Sequence, residues 1–263
     1  MPSYTIASWR FIIATAALVL LSIFLLPKFE IRLFKQYSRQ LFALGIIFGL
    51  HIYFYVSSAT QTTLMNAAVL FNMSPIFTAI FSLVFFKIRP SKVSTLGIAT
   101  TLLGAFIIAA SELISGLGQN IVGDLLAISA SICFALYTTF GKDIRSKINI
   151  TTSQVSFYGI TAITMLAVSL ILSPSKIIPV NAISAWALLY LGLIPSTAGH
   201  TLYFASLKNL KPYETATLKM LEIVFASTLG YIIFSEKPGP TFVFGALIIL
   251  VGLFIVSSLG NSK

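Results

Sequence analysis

The sequence KPYETATLKMLEIVFASTLGYIIFSEK at residues 211–237 predicts a membrane-spanning helix with two charges near its middle. Lys219 and Glu222 are three residues apart, so their side chains share one face of the helix. A charge at the centre of a bilayer costs about 2.5–3.5 kcal/mol on insertion scales. Intramembrane charges commonly line substrate or ion pathways. One interpretation of the pair is therefore a transport cavity, and the other is a buried pair that neutralises itself for structural reasons.

The composition indicates an integral membrane protein. Hydrophobic residues make up 57% of the chain and charged residues 9%, whereas soluble domains have about 45–50% and about 25%. The net charge of +10 comes from basic residues in short loops, which indicates membrane topology and not nucleic-acid binding. Cys133 is the only cysteine, so a disulfide and a zinc cluster are excluded. The N-terminus lacks the basic region and cleavage signature of a signal peptide, and we expect its apolar segment to stay in the membrane.

Continuous apolar runs of about 20 residues predict transmembrane helices. Continuous runs favour helices over a barrel, whose strands alternate polar and apolar residues. The predicted fold is an all-α membrane protein, a polytopic helical bundle of nine transmembrane helices. The predicted spans are 4–26, 39–59, 63–86, 93–111, 122–141, 152–173, 184–207, 212–235 and 240–259.

Basic residues are distributed unequally between the two sides of the predicted bundle. One side receives 13 of them, the other receives only Lys176 and Lys237, and Arg10 and Lys219 lie within spans. The positive-inside rule places the basic side and the C-terminus in the cytoplasm of a cell (plasma or inner) membrane. The 13 residues are Lys28, Arg32, Lys35, Arg39, Lys87, Arg89, Lys92, Lys142, Arg145, Lys147, Lys208, Lys211 and Lys263.

An internal repeat relates the two halves of the chain. A shift of 148 residues aligns 51–108 with 199–256 without a gap. Two glycines seven residues apart recur in each half, on one helix face, where small residues allow close helix packing. The aligned positions include Pro90 with Pro238, Gly97 with Gly245 and Gly104 with Gly252.

The repeats are predicted to be inverted, because the loop around Pro90 is basic and the matching loop around Pro238 has no net charge. Inverted repeats are typical of secondary transporters, whose substrate site lies between the halves near the midplane. The first repeat covers 1–111 with four helices, the second covers 122–259 with five, and 260–263 form a cytoplasmic tail. We expect that the helix equivalent to 122–141 is either missing at the gene start or absent from a protein that works with nine.

Several motifs resemble the EamA-like branch of the drug/metabolite transporter superfamily. The resemblance covers the whole chain except that first helix, and it implies a ten-helix, 5+5 inverted-repeat transporter, commonly an exporter of amino acids, amines, drugs or other small metabolites. Ile223 and Lys219 depart from the proline and the small or apolar residue that the family usually has. The matching motifs are Arg10 with Ala14, Ala68 followed by PIFTA at 75–79, GDLLA at 123–127, LEIVFA at 221–226, and SEKP at 235–238 followed by Gly245 and Gly252.

Polar and aromatic residues inside other spans are further candidates for a substrate cavity. The two histidines are candidate proton relays, and the alternative is that each hydrogen-bonds to a neighbouring helix. The asparagines of the third span are candidates for lining a cavity or for hydrogen bonds between helices. Two tyrosines at equivalent positions of the repeat are candidates for stacking on a substrate or for packing. The candidates beside Lys219 and Glu222 are Asn66, Asn72, Tyr55, Tyr203, His51 and His200.

Enzyme chemistry finds little support in the sequence. Asp124 and Asp143 flank one predicted helix and lie roughly 28 Å apart, so they cannot form a catalytic dyad within one chain. No metalloprotease, esterase or phosphate-loop motif is present. We therefore predict a secondary active exporter without cofactor or metal, whose partners are a small-molecule substrate, protons as candidate coupling ions and the lipid bilayer. A non-transport membrane scaffold and an integral membrane enzyme remain the alternatives, and the sequence does not define the oligomeric state.

Overall fold

A computed structural model describes residues 1–62, 64–116, 120–178, 181–225, 228 and 240–259, and every regular element in these ranges is helical. Residues 221–225 form a further short helical segment, and a 3-10 turn covers Pro174–Lys176. The helices are α1 (Ser3–Phe24), α2 (Ile31–Gln36), α3 (Ser38–Gln61), α4 (Leu64–Phe71), α5 (Ser74–Phe86), α6 (Lys92–Gly116), α7 (Ile121–Lys147), α8 (Ile150–Leu172), α9 (Ala182–Ser206), α10 (Pro212–Leu218) and α11 (Pro240–Phe254).

Seven of these helical segments are long and apolar enough to cross a membrane, and Lys92–Ile108 is a shorter apolar helix. They correspond to eight of the nine predicted spans. The predicted span 212–235 begins as α10, and its residues beyond 225 lie outside the described part except for 228. The chain is thus a polytopic helical membrane protein. The seven segments are Ser3–Phe24, Ser38–Gln61, Asn66–Phe86, Ile121–Lys147, Ile150–Leu172, Ala182–Ser206 and Pro240–Ser258.

The chain divides into two compact units. Unit 1 comprises Met1–Val56 and Phe140–Asn209, and unit 2 comprises Ser57–Thr139 and Leu210–Lys263. Each unit therefore combines helices from both halves of the sequence. The division into repeats at 1–111 and 122–259, with a tail at 260–263, concerns sequence equivalence and stays a prediction; the tail lies outside the described residues.

Unit 1 is built around α1, which packs against α8 and the middle of α9. Phe11, Phe48 and Tyr158 are fully buried there. Helix α8 begins with an asparagine cap, since the Asn149 side chain accepts a hydrogen bond from the Thr152 amide at 2.8 Å. Such a cap satisfies one of the amide groups that a helix start leaves unpaired.

Unit 2 contains a close contact between α6 and α11. A Cβ atom added to Gly97 would lie 2.9 Å from the Gly252 carbonyl oxygen, and one added to Gly104 would lie 2.6 Å from the Gly245 carbonyl oxygen. The two helices are thus antiparallel. The glycines that the sequence repeat aligns meet across this contact, Gly97 with Gly252 and Gly104 with Gly245, and their predicted role in close helix packing is confirmed.

Two helices of unit 2 are broken at nearly equivalent places. Helix α4 ends at Phe71 and α5 begins at Ser74 after a turn, and Pro75 lies in the first turn of α5. Helix α10 ends at Leu218, a turn covers 219–220, and residues 221–225 are helical again. A shift of 148 residues superimposes the two breaks to within one residue. Helix α10 packs against α5.

Candidate functional site

The charge pair of the second broken helix lies at the break itself. Lys219 forms an ion pair with Glu222, one turn further along the chain. The Lys219 side chain is 15% exposed and that of Glu222 is 49% exposed. The ammonium group is therefore held inside unit 2, while the carboxylate keeps half of its surface accessible to water or a ligand.

Two aromatic rings surround the Lys219 ammonium group. Its Nζ atom lies 4.5 Å from the centre of the Phe71 ring and 5.4 Å from that of the Phe134 ring. The two rings also pack edge to face, with centroids 5.6 Å apart. An ammonium group over aromatic faces gains about 0.5–2 kcal/mol, depending on its desolvation. The rings therefore stabilise a cation whose side chain is largely shielded from water.

Phe71 is also the repeat equivalent of Lys219. Two residues that a two-fold axis relates contact each other only close to that axis. The predicted repeat therefore implies that the Lys219–Glu222 pair, at the breaks of both helices, lies near a pseudo-symmetry axis within unit 2. Backbone groups freed at such breaks, together with side chains, form the ligand sites of many secondary transporters.

The two candidate asparagines are bound in different ways. Asn72 is buried in the first break, and its amide nitrogen donates to the Ala68 carbonyl oxygen of its own helix at 2.8 Å. Asn66 donates to the Thr62 hydroxyl at 3.4 Å, and Thr62 donates to Asp124 at 2.8 Å. These contacts connect Asn66 to the first turn of α7, whereas Asn72 bonds within its own helix, one residue after Phe71.

The candidate histidines lie in unit 1, on either side of one phenylalanine. The Phe48 ring stacks on His51 with centroids 5.8 Å apart and meets His200 edge to face at 5.1 Å. Tyr55 stacks on His51 at 6.4 Å. Tyr203 is half-buried one turn beyond His200 on α9. The structure thus brings His51, His200 and Tyr55 into one aromatic cluster of unit 1.

An arginine network next to this cluster was not among the candidates. Arg10 is buried and donates from Nε at 3.3 Å and from Nη2 at 3.2 Å to the Ser196 hydroxyl. The Tyr158 hydroxyl donates to the Ser196 carbonyl oxygen at 2.9 Å. Gln154 donates to the Tyr158 hydroxyl at 2.9 Å and to the His200 carbonyl oxygen at 3.3 Å. Two signals were present in the sequence: a glutamine and a tyrosine four residues apart in an apolar span, and an arginine in another.

Ser196 lies in a widened segment of α9. Residues Gly192–His200 form a π-helix around Pro195, whose missing amide hydrogen and ring interrupt the regular α-helical ladder. The Ser196 and Thr197 hydroxyls each donate to a carbonyl oxygen five residues earlier, both at 2.8 Å. Widened turns of this type recur at functional sites. In this segment the Ser196 hydroxyl contacts Arg10 of α1, and the Ser196 carbonyl oxygen contacts Tyr158 of α8.

Comparison with known proteins decides the family. The model of the EamA-like transporter family matches residues 1–110 and 121–258. The chain belongs to the EamA-like transporter family. The predicted resemblance is therefore confirmed, as is the prediction that the chain is not an enzyme, because EamA-like proteins are transporters.

Individual EamA-like relatives match over nearly the full chain. YyaM of Bacillus subtilis, an uncharacterized transporter, is 24% identical over 260 residues, which are 95% of this chain and 83% of YyaM. The pseudopaline exporter CntI of Pseudomonas aeruginosa is 23% identical over 261 residues, 98% of this chain and 87% of CntI. A crystal structure with 16% sequence identity superimposes with a TM-score of 0.82 and covers 100% of this chain and 90% of its own, which supports the fold alone.

Proposed function

We propose that this EamA-like protein is a secondary active exporter of small metabolites, among them amino acids, amines or drugs, across the cytoplasmic membrane. The observation that carries the proposal is the Lys219–Glu222 pair at a break in a predicted membrane-spanning helix, in contact with its repeat equivalent Phe71 at the matching break. A charge pair at a pseudo-symmetry axis is poorly explained by packing, because packing features recur in both repeats whereas this pair does not.

The proposed mechanism is alternating access of two inverted repeats of four and five helices. The crossed glycine contacts of α6 and α11 support this, because an axis in the membrane plane that exchanges the repeats also exchanges Gly97 with Gly245 and Gly104 with Gly252. The 13 basic residues on one predicted side support a cytoplasmic C-terminus. No phosphate loop occurs in the sequence, so ion or substrate gradients are the proposed energy source.

Each candidate residue receives a role in this proposal. The half-exposed Glu222 carboxylate binds the amine of a substrate or a proton, and Lys219 holds it in place until the ligand displaces the ammonium group. Asn72 supplies polarity at the first break. His51 and His200 are proposed as proton carriers, since histidine changes charge near neutral pH, and Tyr55, Tyr203 and Asn66 as polar or aromatic contacts along the path. The export direction is proposed from the named function of CntI.

The test is uptake into inside-out membrane vesicles that contain the full chain. A mixture of amino acids, amines, nucleosides and drugs is offered, and the vesicle contents are measured by mass spectrometry with and without collapse of the proton gradient. We expect accumulation of at least one compound that disappears with the gradient. Equal contents in vesicles with and without the protein, for every compound, would contradict the proposal and favour a scaffold.

A further inference from the structure

Arg10 is a buried cation that has no carboxylate partner among the described residues. Only 8% of its surface is exposed, and its guanidinium contacts the Ser196 hydroxyl as described above. The carboxylates whose side chains the structure describes are all engaged elsewhere. Their partners are Asn149 for Glu30, Thr62 for Asp124, Lys147 for Asp143, Lys211 for Glu214 and Lys219 for Glu222.

Among the residues that the structure describes, the guanidinium thus lacks a counter-charge and most of its hydrogen bonds, and its carbon lies 5.8 Å from the centre of the Phe11 ring. It stays protonated and carries five N–H donors. In the described part of the chain two of them are used, at 3.3 and 3.2 Å, which is longer than the 2.7–2.9 Å typical of charge-assisted bonds. A buried charge without a partner is strongly unfavourable. A protein that keeps such a charge commonly binds an oppositely charged ligand with it.

We propose that Arg10 is an oxyanion subsite that binds the carboxylate of the exported metabolite, an inference that rests on the proposed export function. The planar guanidinium fork binds a carboxylate through two parallel hydrogen bonds. The Ser196 hydroxyl oxygen accepts hydrogen bonds from Nε and from one N–H of Nη2, and these two bonds fix the plane of the guanidinium. The donors on Nη1, together with the second on Nη2, remain for the ligand.

The surrounding network positions the fork. The Tyr158 hydroxyl donates a hydrogen bond to the Ser196 carbonyl oxygen at 2.9 Å, and the Gln154 amide nitrogen donates to the Tyr158 hydroxyl at 2.9 Å. Both residues lie on α8 one turn apart, so α8 and the π-helical turn of α9 fix the serine to which Arg10 is bound. Gln154, Tyr158 and Ser196 are therefore positioning residues.

The charge of the site selects a carboxylate over a phosphate ester. Arg10 carries one positive charge, and in the described part no second arginine or lysine side chain contacts Ser196 or Tyr158. A carboxylate carries one negative charge, whereas a phosphate monoester carries about 1.5 to 2 near neutral pH. One guanidinium thus neutralises the first and leaves the second undercompensated.

The experiment compares acids with their primary amides on the purified full chain in detergent. The probes are L-phenylalanine, L-leucine, L-glutamate and phenylacetate, each against its amide, over a concentration series. Ligand binding raises the thermal midpoint by mass action. We expect at least one acid to stabilise the wild type at about tenfold or more lower concentration than its amide, because a charge-assisted contact is lost.

Variants assign that preference to Arg10. In Arg10→Gln the acid and its amide should bind equally. Arg10→Lys keeps a charge in the core and should bind the acid about tenfold more weakly than the wild type, because an ammonium group cannot form the bidentate pair. Ser196→Ala provides a milder change, with a smaller loss of acid preference and normal elution on size exclusion.

Four results would overturn the subsite: equal binding of acids and amides to the wild type, no stabilisation by any acid, an acid preference that survives in Arg10→Gln, or wild-type acid affinity in Arg10→Lys. Vesicle uptake separates this inference from the proposed function. If the wild type and Arg10→Gln export an amine equally and no acid binds, the protein is an exporter and the carboxylate subsite is wrong. If neither the wild type nor Arg10→Gln accumulates any compound, the proposed export function itself is contradicted.

Discussion

Replacing Gly252 with alanine tests the packing of α6 against α11. The added Cβ atom would lie 2.5 Å from the Thr101 backbone nitrogen and 2.7 Å from the Gly97 carbonyl oxygen. Since ordinary contacts begin near 3.4 Å, the two backbones must separate by roughly 1 Å, because neither atom can rotate away. The apolar contacts of Ile249 and Leu253 in the same interface would loosen with them. Overpacking of this type costs about 1–3 kcal/mol.

Gly159→Ala is the matched control. Gly159 lies in the middle of α8, and its added Cβ atom would come no closer than 3.9 Å to the Thr15 side chain. Both substitutions gain the same helix propensity, about 1 kcal/mol, so the difference between the two variants isolates the packing cost. For a chain of this size, a difference of 1–3 kcal/mol lowers the midpoint by about 2–12 °C.

The assay is thermal unfolding of both variants in detergent at one scan rate, because irreversible unfolding makes the midpoint depend on the rate. Gly252→Ala should unfold below Gly159→Ala, and Gly159→Ala should unfold at or above the wild type. Equal midpoints for the two variants would refute the close backbone contact. Gly104→Ala, at the repeat equivalent of Gly252, should behave like Gly252→Ala, because its Cβ atom would lie 2.6 Å from the Gly245 carbonyl oxygen.

Three further predictions concern caps, charges and topology. Asn149→Ala should destabilise the protein by about 0.5–2 kcal/mol and more than Asn181→Ala, the cap of α9, because Asn149 also binds the segment between α1 and α2; equal losses in thermal unfolding would contradict this. Lys219→Met should change the unfolding free energy by at most about 1 kcal/mol, because water around the half-exposed Glu222 partner screens the ion pair, yet it should abolish export. Unchanged vesicle uptake would contradict a cavity role. In a cysteine-free background, a cysteine at Lys35 should react with a membrane-impermeant maleimide only from the cytoplasmic side and one at Lys176 only from outside, and labelling of both from one side would refute the predicted orientation.

The sequence was sufficient for the transmembrane architecture because the bilayer imposes long apolar runs. Eight of the nine predicted spans correspond to apolar helices, and the glycine repeat identified a real helix contact. Helix α2 was not predicted, because six residues in a basic loop carry no length signal. The break between α4 and α5 and the break after α10 were not predicted either. The hydropathy of an apolar run is the same whether the run forms one helix or two.

The candidate site was predicted in part, for a physical reason. Lys219 and Glu222 stand out because any charge in an apolar run is conspicuous, and the cost of burying it indicates a role. The rings of Phe71 and Phe134 around Lys219 look like ordinary apolar residues in the sequence. The Arg10–Ser196 contact joins positions 186 residues apart, a pairing that only the packing of α1 against α9 produces. The π-helical turn that orients Ser196 arises from the geometry of Pro195 within its helix.

The central claim is that the carboxylate of Glu222 takes part in gradient-driven export. The measurement that tests it most directly is uptake of an identified substrate into inside-out vesicles, with Glu222→Gln compared with Asp143→Asn. Both variants remove one carboxylate from an ion pair with a lysine, and the Asp143 pair is on the surface, with 39% and 37% of the side chains exposed. The account predicts that uptake is lost in Glu222→Gln and retained in Asp143→Asn, at equal amounts of folded protein. Full gradient-dependent uptake by Glu222→Gln would contradict it.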